Sequence, residues 1–275
     1  MEWLYKWPLW PLTMFMLLSM FAANEGGFLA GRRKTSDISE DARSVANMLK
    51  ASIFGLVAFL LAMTFSMTSA RFDARRQLVL NEANAVGTCY LRAELLGGPI
   101  QLRIQRALQG FVEERLIYFD QLFDESERAR ADVEMGRHVD ELWKAVIEAT
   151  RSDPDLTRTA LLIPAANEVI DLYTTRSWES RSHLQPSVLI LLMVCVTVSS
   201  LLIGHSSGQI GNRQIWLWAA FNLLFALVLH VVLDFDRSKR GLIRVDHQPL
   251  IELRETMERE AGTLPRIESP ADPSQ

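Results

Sequence analysis

The stretch ASIFGLVAFLLAMTFSMTSA, residues 51–70, lies between Lys50 and Arg71 and contains no charged residue. Its length matches the ~20 residues with which a helix crosses ~30 Å of hydrocarbon. A bilayer offers the backbone no water to bond, so a segment of this kind must close its hydrogen bonds internally, as helix. Past Arg71 the helical pattern continues. Phe72, Val79, Ala83, Val86, Tyr90 and Ala93 keep to one stripe, broken only by Arg76, and no Gly or Pro falls between Gly55 and Gly87. The spacing predicts one rod from Ala51 to about Leu96, on the order of 70 Å at ~1.5 Å per residue. Gly97-Gly98-Pro99 should end it, because glycine and then proline is the usual way out of a helix.

Two further uncharged stretches, 184–204 and 214–233, read as spans for the same reason. The first apolar run is less simple. Trp7 to Ala23 is followed by Asn24, Glu25, Gly26, Gly27 and then Phe28-Leu29-Ala30. A cleaved signal peptide is the alternative, but Lys6 is its only leading positive charge. Phe21 would also occupy a cleavage-site position that wants a small residue. Trp3, Tyr5, Trp7 and Trp10 suit an interfacial aromatic belt, so an uncleaved span over 9–30 is expected.

Four spans, 9–30, 51–70, 184–204 and 214–233, put both termini and residues 71–183 on one side of the membrane. The basic residues flanking the spans there, among them Arg71, Arg75, Arg76, Arg176, Arg237, Lys239 and Arg240, outnumber those opposite, such as Arg32, Arg33, Lys34, Lys50 and Arg213. The summed bias predicts a cytoplasmic central segment and cytoplasmic termini, although the first span taken alone points the other way.

That central segment carries 15 Lys and Arg against 19 Asp and Glu, so the chain's formal charge of −4 resides there. No region has the positive excess of a nucleic-acid binder. Two cysteines, Cys89 and Cys195, are too few for a disulfide framework or a cysteine-rich zinc site. Amphipathic runs around Ile104–Leu122, Val139–Ile147 and Val169–Tyr173 predict three more helices, and no alternating strand pattern appears. Pro164 either opens or kinks the last of them. The expected fold class is all-α: a four-span helical membrane protein with a helical soluble domain between spans two and three. A juxtamembrane segment, 234–261, includes an extended stretch Leu242–Val245 and a short helix after Pro249, and a proline-rich tail, 262–275, reads as disordered.

No HExxH, phosphate-cradling glycine loop, GxSxG or CxxC occurs, so neither an enzyme nor a bound metal or cofactor is expected. Polar groups at membrane depth are more informative, because hydrocarbon makes them expensive. His230 and Asp234 lie one helical turn apart and can touch, as a titrating pair or as an interfacial histidine held by a carboxylate. Asn222 suits an interhelical hydrogen bond. Glu25 is an end-of-helix charge if the first span stops at Ala23 and an embedded carboxylate if it runs to Ala30. The second span carries a small-residue face of Ser52, Gly55, Ala62, Ser66 and Ser69, interrupted by Phe59. Close helix packing is its ordinary use, and a pore wall is the alternative. Ala83 and Gly87 form a second notch, and Glu82, too far from Arg75 to pair with it, reads as part of a solvated face, with a buried ion pair to another helix as the alternative.

The order Arg71-Phe72-Asp73-Ala74-Arg75-Arg76, Glu82-Ala83-Asn84-Ala85-Val86-Gly87-Thr88 and Leu91-Arg92 resembles the signature of a bacterial membrane family of unknown function described as bestrophin-like. Glu25-Gly26, Gly31-Arg32-Arg33, Pro186, Arg240-Gly241-Leu242-Ile243 and Pro249-Leu250 follow in the same order. The resemblance marks Arg75, Arg76, Glu82, Ala83, Asn84, Gly87 and Arg92 as motif residues and covers about residues 10 to 255. It implies distant similarity to bestrophins: pentameric anion channels of the cell membrane, with four spans per subunit and a pore lined by the second span. Ile53, Val57, Leu61 and Phe65 sit at the one-turn spacing of a bestrophin constriction, with Phe65 the only aromatic among them. Asp234 and Asp236 are too few for a calcium shell of six to eight oxygens. The expectation is a homo-oligomeric, bilayer-embedded ion channel whose second span lines the path. The alternative is a non-conducting scaffold or sensor whose central helices bind a cytoplasmic protein.

Overall fold

The computed structural model describes residues 9–33, 40–120, 125–152, 155–179, 185–236 and 245–263. Among them lie eight helices and no strand: α1 Leu9–Arg33, α2 Glu40–Ala93, α3 Gly98–Asp120, α4 Glu125–Ser152, α5 Leu156–Glu179, α6 Pro186–Ile210, α7 Ile215–Asp236 and α8 Gln248–Thr263. Four of them, α1, α2, α6 and α7, are long and apolar enough to cross a membrane. The expected tail from residue 264 onward, residues 242–244 of the expected extended stretch, and the start of the third span at Leu184 lie outside the described residues.

Several boundaries differ from expectation: α6 runs on to Ile210 and α7 to Asp236, past the expected span ends at 204 and 233. Helix α2 begins at Glu40 rather than Ala51, because the polar run 40–50 contains good helix formers and no breaker. At 54 residues the helix is about 80 Å long. Helix α1 continues to Arg33 through Gly26 and Gly27, which makes Glu25 a mid-helix residue. The predicted stop after α2 is where the sequence puts it, since Gly97 and Gly98 both take positive φ, 67° and 64°. Pro164 sits inside α5.

The chain divides into two compact units, Met1–Asp73 with Ser182–Arg244, and Ala74–Arg181 with Val245–Gln275. In the first, side-chain contacts fix the sense of each span. Phe54 meets Phe221 and Phe65 meets Phe235, so α2 and α7 run parallel. Thr13 meets His230 and Phe28 meets Trp218, so α1 and α7 are antiparallel. Between α1 and α6 the contact is backbone on backbone. A Cβ placed on Gly27 or Gly31 would strike the α6 backbone at Leu201 and His205. One on Gly204 or Gly208 would strike Asn24 and Phe28 of α1. Both helices carry glycines four apart, and the pairs face each other in parallel register. Small residues admit this approach, and dispersion between the closely set helices then holds it. Met16, Met20, Val57, Leu61, Leu192, Leu229 and Val232 fill the interior of this unit.

The second unit packs the end of α2 with α3, α4, α5 and α8. Its core holds Val86, Tyr90, Ile104, Leu108, Phe111, Met135, Leu142, Leu162 and Val169. Gly110 leaves room on α3 for the His138 ring of α4.

Candidate functional site

Helix α2 has two faces within the membrane unit. Val57, Leu61, Thr64 and Thr68 are buried. Thr64 and Thr68 return their hydroxyl hydrogens to the Leu60 and Thr64 carbonyls, at 2.8 and 3.0 Å, so burial leaves neither unsatisfied. On the opposite side Ser52, Gly55, Phe59, Ala62 and Ser66 are all exposed, and Ser69 is half-buried. Phe59 is 64% exposed, and a Cβ added at Gly55 would meet nothing within 4 Å. The small-residue face is thus not the packing surface of α2 within its own unit. Of the one-turn row suggested by resemblance, Val57 and Leu61 point inward and Phe65 lies against the Phe235 ring, at 5.8 Å between centroids. Phe65 is still 40% exposed, and Phe59, about 120° round the helix from it, is the aromatic on the small-residue face. In the second unit α2 exposes Gln77, Asn81, Asn84 and Thr88, with Gln77 Nε2 donating to Asn81 Oδ1 at 2.9 Å.

The intramembrane polar residues have definite surroundings. Glu25 accepts from Arg213 Nη2 at 2.5 Å, and the same guanidinium lies 4.9 Å from the Phe28 ring centre. Both partners are about half exposed, so the ion pair sits at the mouth of the α6–α7 turn rather than deep within the unit. Asn222 is fully buried and its Oδ1 lies 3.3 Å from Ser200 Oγ, the interhelical role expected of it. The hydrogen bond of His230 crosses to α1, with Nδ1 2.8 Å from Thr13 Oγ1. Thr13 lies 3.1 Å from the Leu9 carbonyl and donates there, which leaves its lone pair for a ring N–H. Asp234 is buried one turn beyond.

In the second unit, Glu82 takes the alternative of a buried ion pair and not the solvated face: its exposure is 0%. Arg115 grips it with two nitrogens, Nε at 3.1 Å from Oε2 and Nη2 on Oε1, and Arg176 Nη1 adds a third contact on Oε2. One carboxylate therefore holds two buried guanidiniums. Aromatic faces help shield them, Phe111 and Tyr173 for Arg115 and Phe119 for Arg176, at 5.0–5.4 Å. Burial pulls the Arg176 guanidinium down to about 10 against the pull of Glu82, which favours its charged form. His247, stacked on Phe119 at 3.8 Å, is drawn down to about 4, first by burial and then by Arg176. Around this centre Arg75 pairs with Glu179 at 3.6 Å and Arg92 Nη1 donates to the Leu161 carbonyl at 2.8 Å.

A bestrophin-like domain is matched over residues 17–250. The chain belongs to the bestrophin-like family. Its fold is similar to the crystal structure of a bacterial bestrophin homologue from Klebsiella pneumoniae carrying an aspartate-to-alanine substitution. The TM-score is 0.56 at 14% identity, over 90% of this chain and 95% of that one. No curated protein matches the sequence.

In this bestrophin-like chain the motif around Glu82 is a packing device. Ala83 is buried beside Leu250, and a Cβ at Gly87 would stand 3.3 Å from Leu253 Cδ1, so the notch in α2 admits two leucines of α8. Glu82 turns to the two arginines, while Asn84 and Arg76 face outward. Three features escaped the sequence reading: the arginine partners, 33 and 94 residues from Glu82, the paired glycines, and Asn24. The glycines carry a readable signal in the two Gly-x-x-x-Gly spacings. The arginines carry none.

Proposed function

We propose that this bestrophin-like protein assembles as a homo-oligomeric ion channel of the bacterial inner membrane, its α2 helices lining the path. The supporting observation is the uncovered α2 face from Ser52 to Ser66. It is apolar or weakly polar and uncharged, and no described element of its own unit covers it. In a ring of subunits that face meets the axis, where serine and glycine neither block an ion nor hold it tightly. Phe59 supplies the constriction, and ions move passively past it with no chemical step. Family resemblance makes anions the expected ion. The bias of basic residues supports cytoplasmic termini and a cytoplasmic second unit.

The test couples particle symmetry of the purified protein with ion flux in proteoliposomes. A ring whose flux rises on Phe59→Ala and falls on Ser66→Trp supports the channel. A monomer without flux, or flux indifferent to both substitutions, removes it. Exposed Leu91 and Leu161 in the second unit favour the other reading, a scaffold for a cytoplasmic protein. Leu91→Glu with Leu161→Glu would then abolish partner capture, in a protein that conducts nothing.

A further inference from the structure

The membrane unit gathers unsatisfied amides in one layer. The register of α1 on α7, with Phe28 at Trp218 and Thr13 at His230, places Asn24 level with Asn222. The α1–α6 crossing sets the Asn24 backbone against Gly204, one turn from Ser200, and Ser200 is the residue that reaches Asn222. Three helices thus bring Asn24, Ser200 and Asn222 together, each with an exposure of 0%. Among the described residues Asn222 Nδ2 has no hydrogen-bond partner, and neither does Asn24 Oδ1 or Nδ2. Buried inside a helix bundle, an unsatisfied carboxamide is among the costlier groups to hold.

We propose that this layer binds water, which bridges the Asn24 and Asn222 carboxamides. The donor and acceptor inventory chooses the ligand. The open groups are two amide nitrogens, which only donate, and one carbonyl oxygen, which only accepts. An anion would suit the nitrogens and be repelled by the carbonyl, and a cation would meet the reverse. Neither would find a compensating charge among these three residues. Water accepts from the nitrogens and donates to Asn24 Oδ1, and the serine lone pairs can take a further hydrogen. The Ser199 hydrogen goes to the Cys195 carbonyl at 2.9 Å. That of Ser200 is shared between the Val196 carbonyl at 3.0 Å and Asn222, so these hydroxyls offer oxygen more readily than hydrogen. Buried waters ordinarily make about three such bonds. The site ties α1 to α7 beside the glycine crossing and is independent of whether the protein conducts.

The test is a double-mutant cycle on the full chain in detergent, read as the thermal midpoint from tryptophan fluorescence. Asn24→Ala and Asn222→Ala should each lower the midpoint, because each orphans the water and the other amide. The double variant should fall no further than the worse single, a coupling that passes through the bridge. Additive shifts, or singles that melt no lower than the parent, overturn the proposal. If the alanine variants do not accumulate, Asn24→Ser and Asn222→Ser give the same cycle. Replacing chloride by gluconate, or sodium by N-methylglucamine, at constant ionic strength should leave the parent's midpoint unmoved relative to the double variant. A shift tied to one ion and lost in the double variant assigns the site to that ion and overturns water. A high-resolution map should show density within hydrogen-bond distance of both amides, and an empty layer would refute the bridge.

Discussion

Replacing Glu82 by leucine should open the second unit far more than its single residue suggests. In the parent the side-chain exposures of Glu82, Arg115 and Arg176 are 0%, 3% and 7%. Glu82→Leu leaves both guanidiniums buried with no carboxylate between them, raising the local charge from +1 to +2. Stranding one member of a buried pair costs about 3–5 kcal/mol, because the remaining ion keeps its desolvation penalty and loses its attraction. Here two ions are stranded, so the upper half of that range is expected. Arg176→Met should be mild, within about 1 kcal/mol, since it leaves a bidentate Arg115–Glu82 pair of zero net charge. Glu82→Leu combined with Arg115→Met and Arg176→Met should recover most of the loss, an apolar core of similar volume replacing the ions.

Cys89 provides an assay confined to this unit. Its side chain is fully buried in the core beside Val86 and Tyr90, and burial raises the thiol to about 12. With Cys195→Ser as background, thiol labelling at pH 8 then requires the unit to open. About 4 kcal/mol corresponds to labelling on the order of 1,000-fold faster in Glu82→Leu when opening limits access. The reasoning is refuted if Arg176→Met labels as fast as Glu82→Leu. It is also refuted if the triple variant is no slower than Glu82→Leu, because the charges would then be needed for something other than balance.

Three further outcomes follow from the same geometry. Gly204→Ala drives a methyl into the Asn24 carbonyl and should cost about 3 kcal/mol or more, read as a lower melting midpoint or failure to accumulate in membranes. Gly26→Ala, with open space at its Cβ, should shift the midpoint by no more than a degree or two. His247 is neutral in the fold down to about 4, whereas the unfolded ring protonates near 6.5, so its contribution is complete above pH 6.5. As pH falls the unfolded chain takes up the proton first, and about 3 kcal/mol should be lost between pH 6.5 and 4, then level off. His247→Gln should flatten that segment of the stability–pH curve, measured by Cys89 labelling of the second unit.

The spans and the class of the fold were legible because each rests on a local rule. Twenty uncharged residues cannot be anything but helix inside lipid, and Gly97-Gly98-Pro99 ends a helix wherever it falls. The surroundings of Glu82 were not legible, since its partners stand 33 and 94 residues away on α3 and α5, and no periodicity connects them. Seven residues separate Glu82 from Arg75, and the inference that it lacked a helical neighbour was sound. What failed was the preference for solvent over a partner on another helix. A carboxylate in a stripe otherwise made of Val79, Ala83, Val86 and Tyr90 lies on the face that must be buried, and that pattern was itself in the sequence. One-turn spacing identifies a face of α2, but only the structure shows what meets it: Val57 and Leu61 are buried, whereas Phe65 touches the Phe235 ring and stays 40% exposed.

In each unit α2 has a packed face and an open one. In the membrane unit Val57, Leu61 and Thr68 are packed, and in the other unit Val79, Glu82, Val86 and Cys89 are. Ser52, Phe59 and Ser66 of the first and Gln77, Asn84 and Thr88 of the second are left exposed by the described residues of their own units. A helix packed on one face is stable by that packing and needs no contact on the second. Selection on the second face is then free to follow whatever it meets, lipid, another subunit or an ion. Lipid alone would favour large apolar side chains along the membrane stretch, because they leave no gap against acyl chains. The small residues at 52, 55, 62 and 66 are the wrong shape for that and the right shape for a close protein neighbour or a narrow path. The unpartnered face of α2 therefore argues for assembly before it argues for conduction. Symmetry of the purified particle is the measurement to make first.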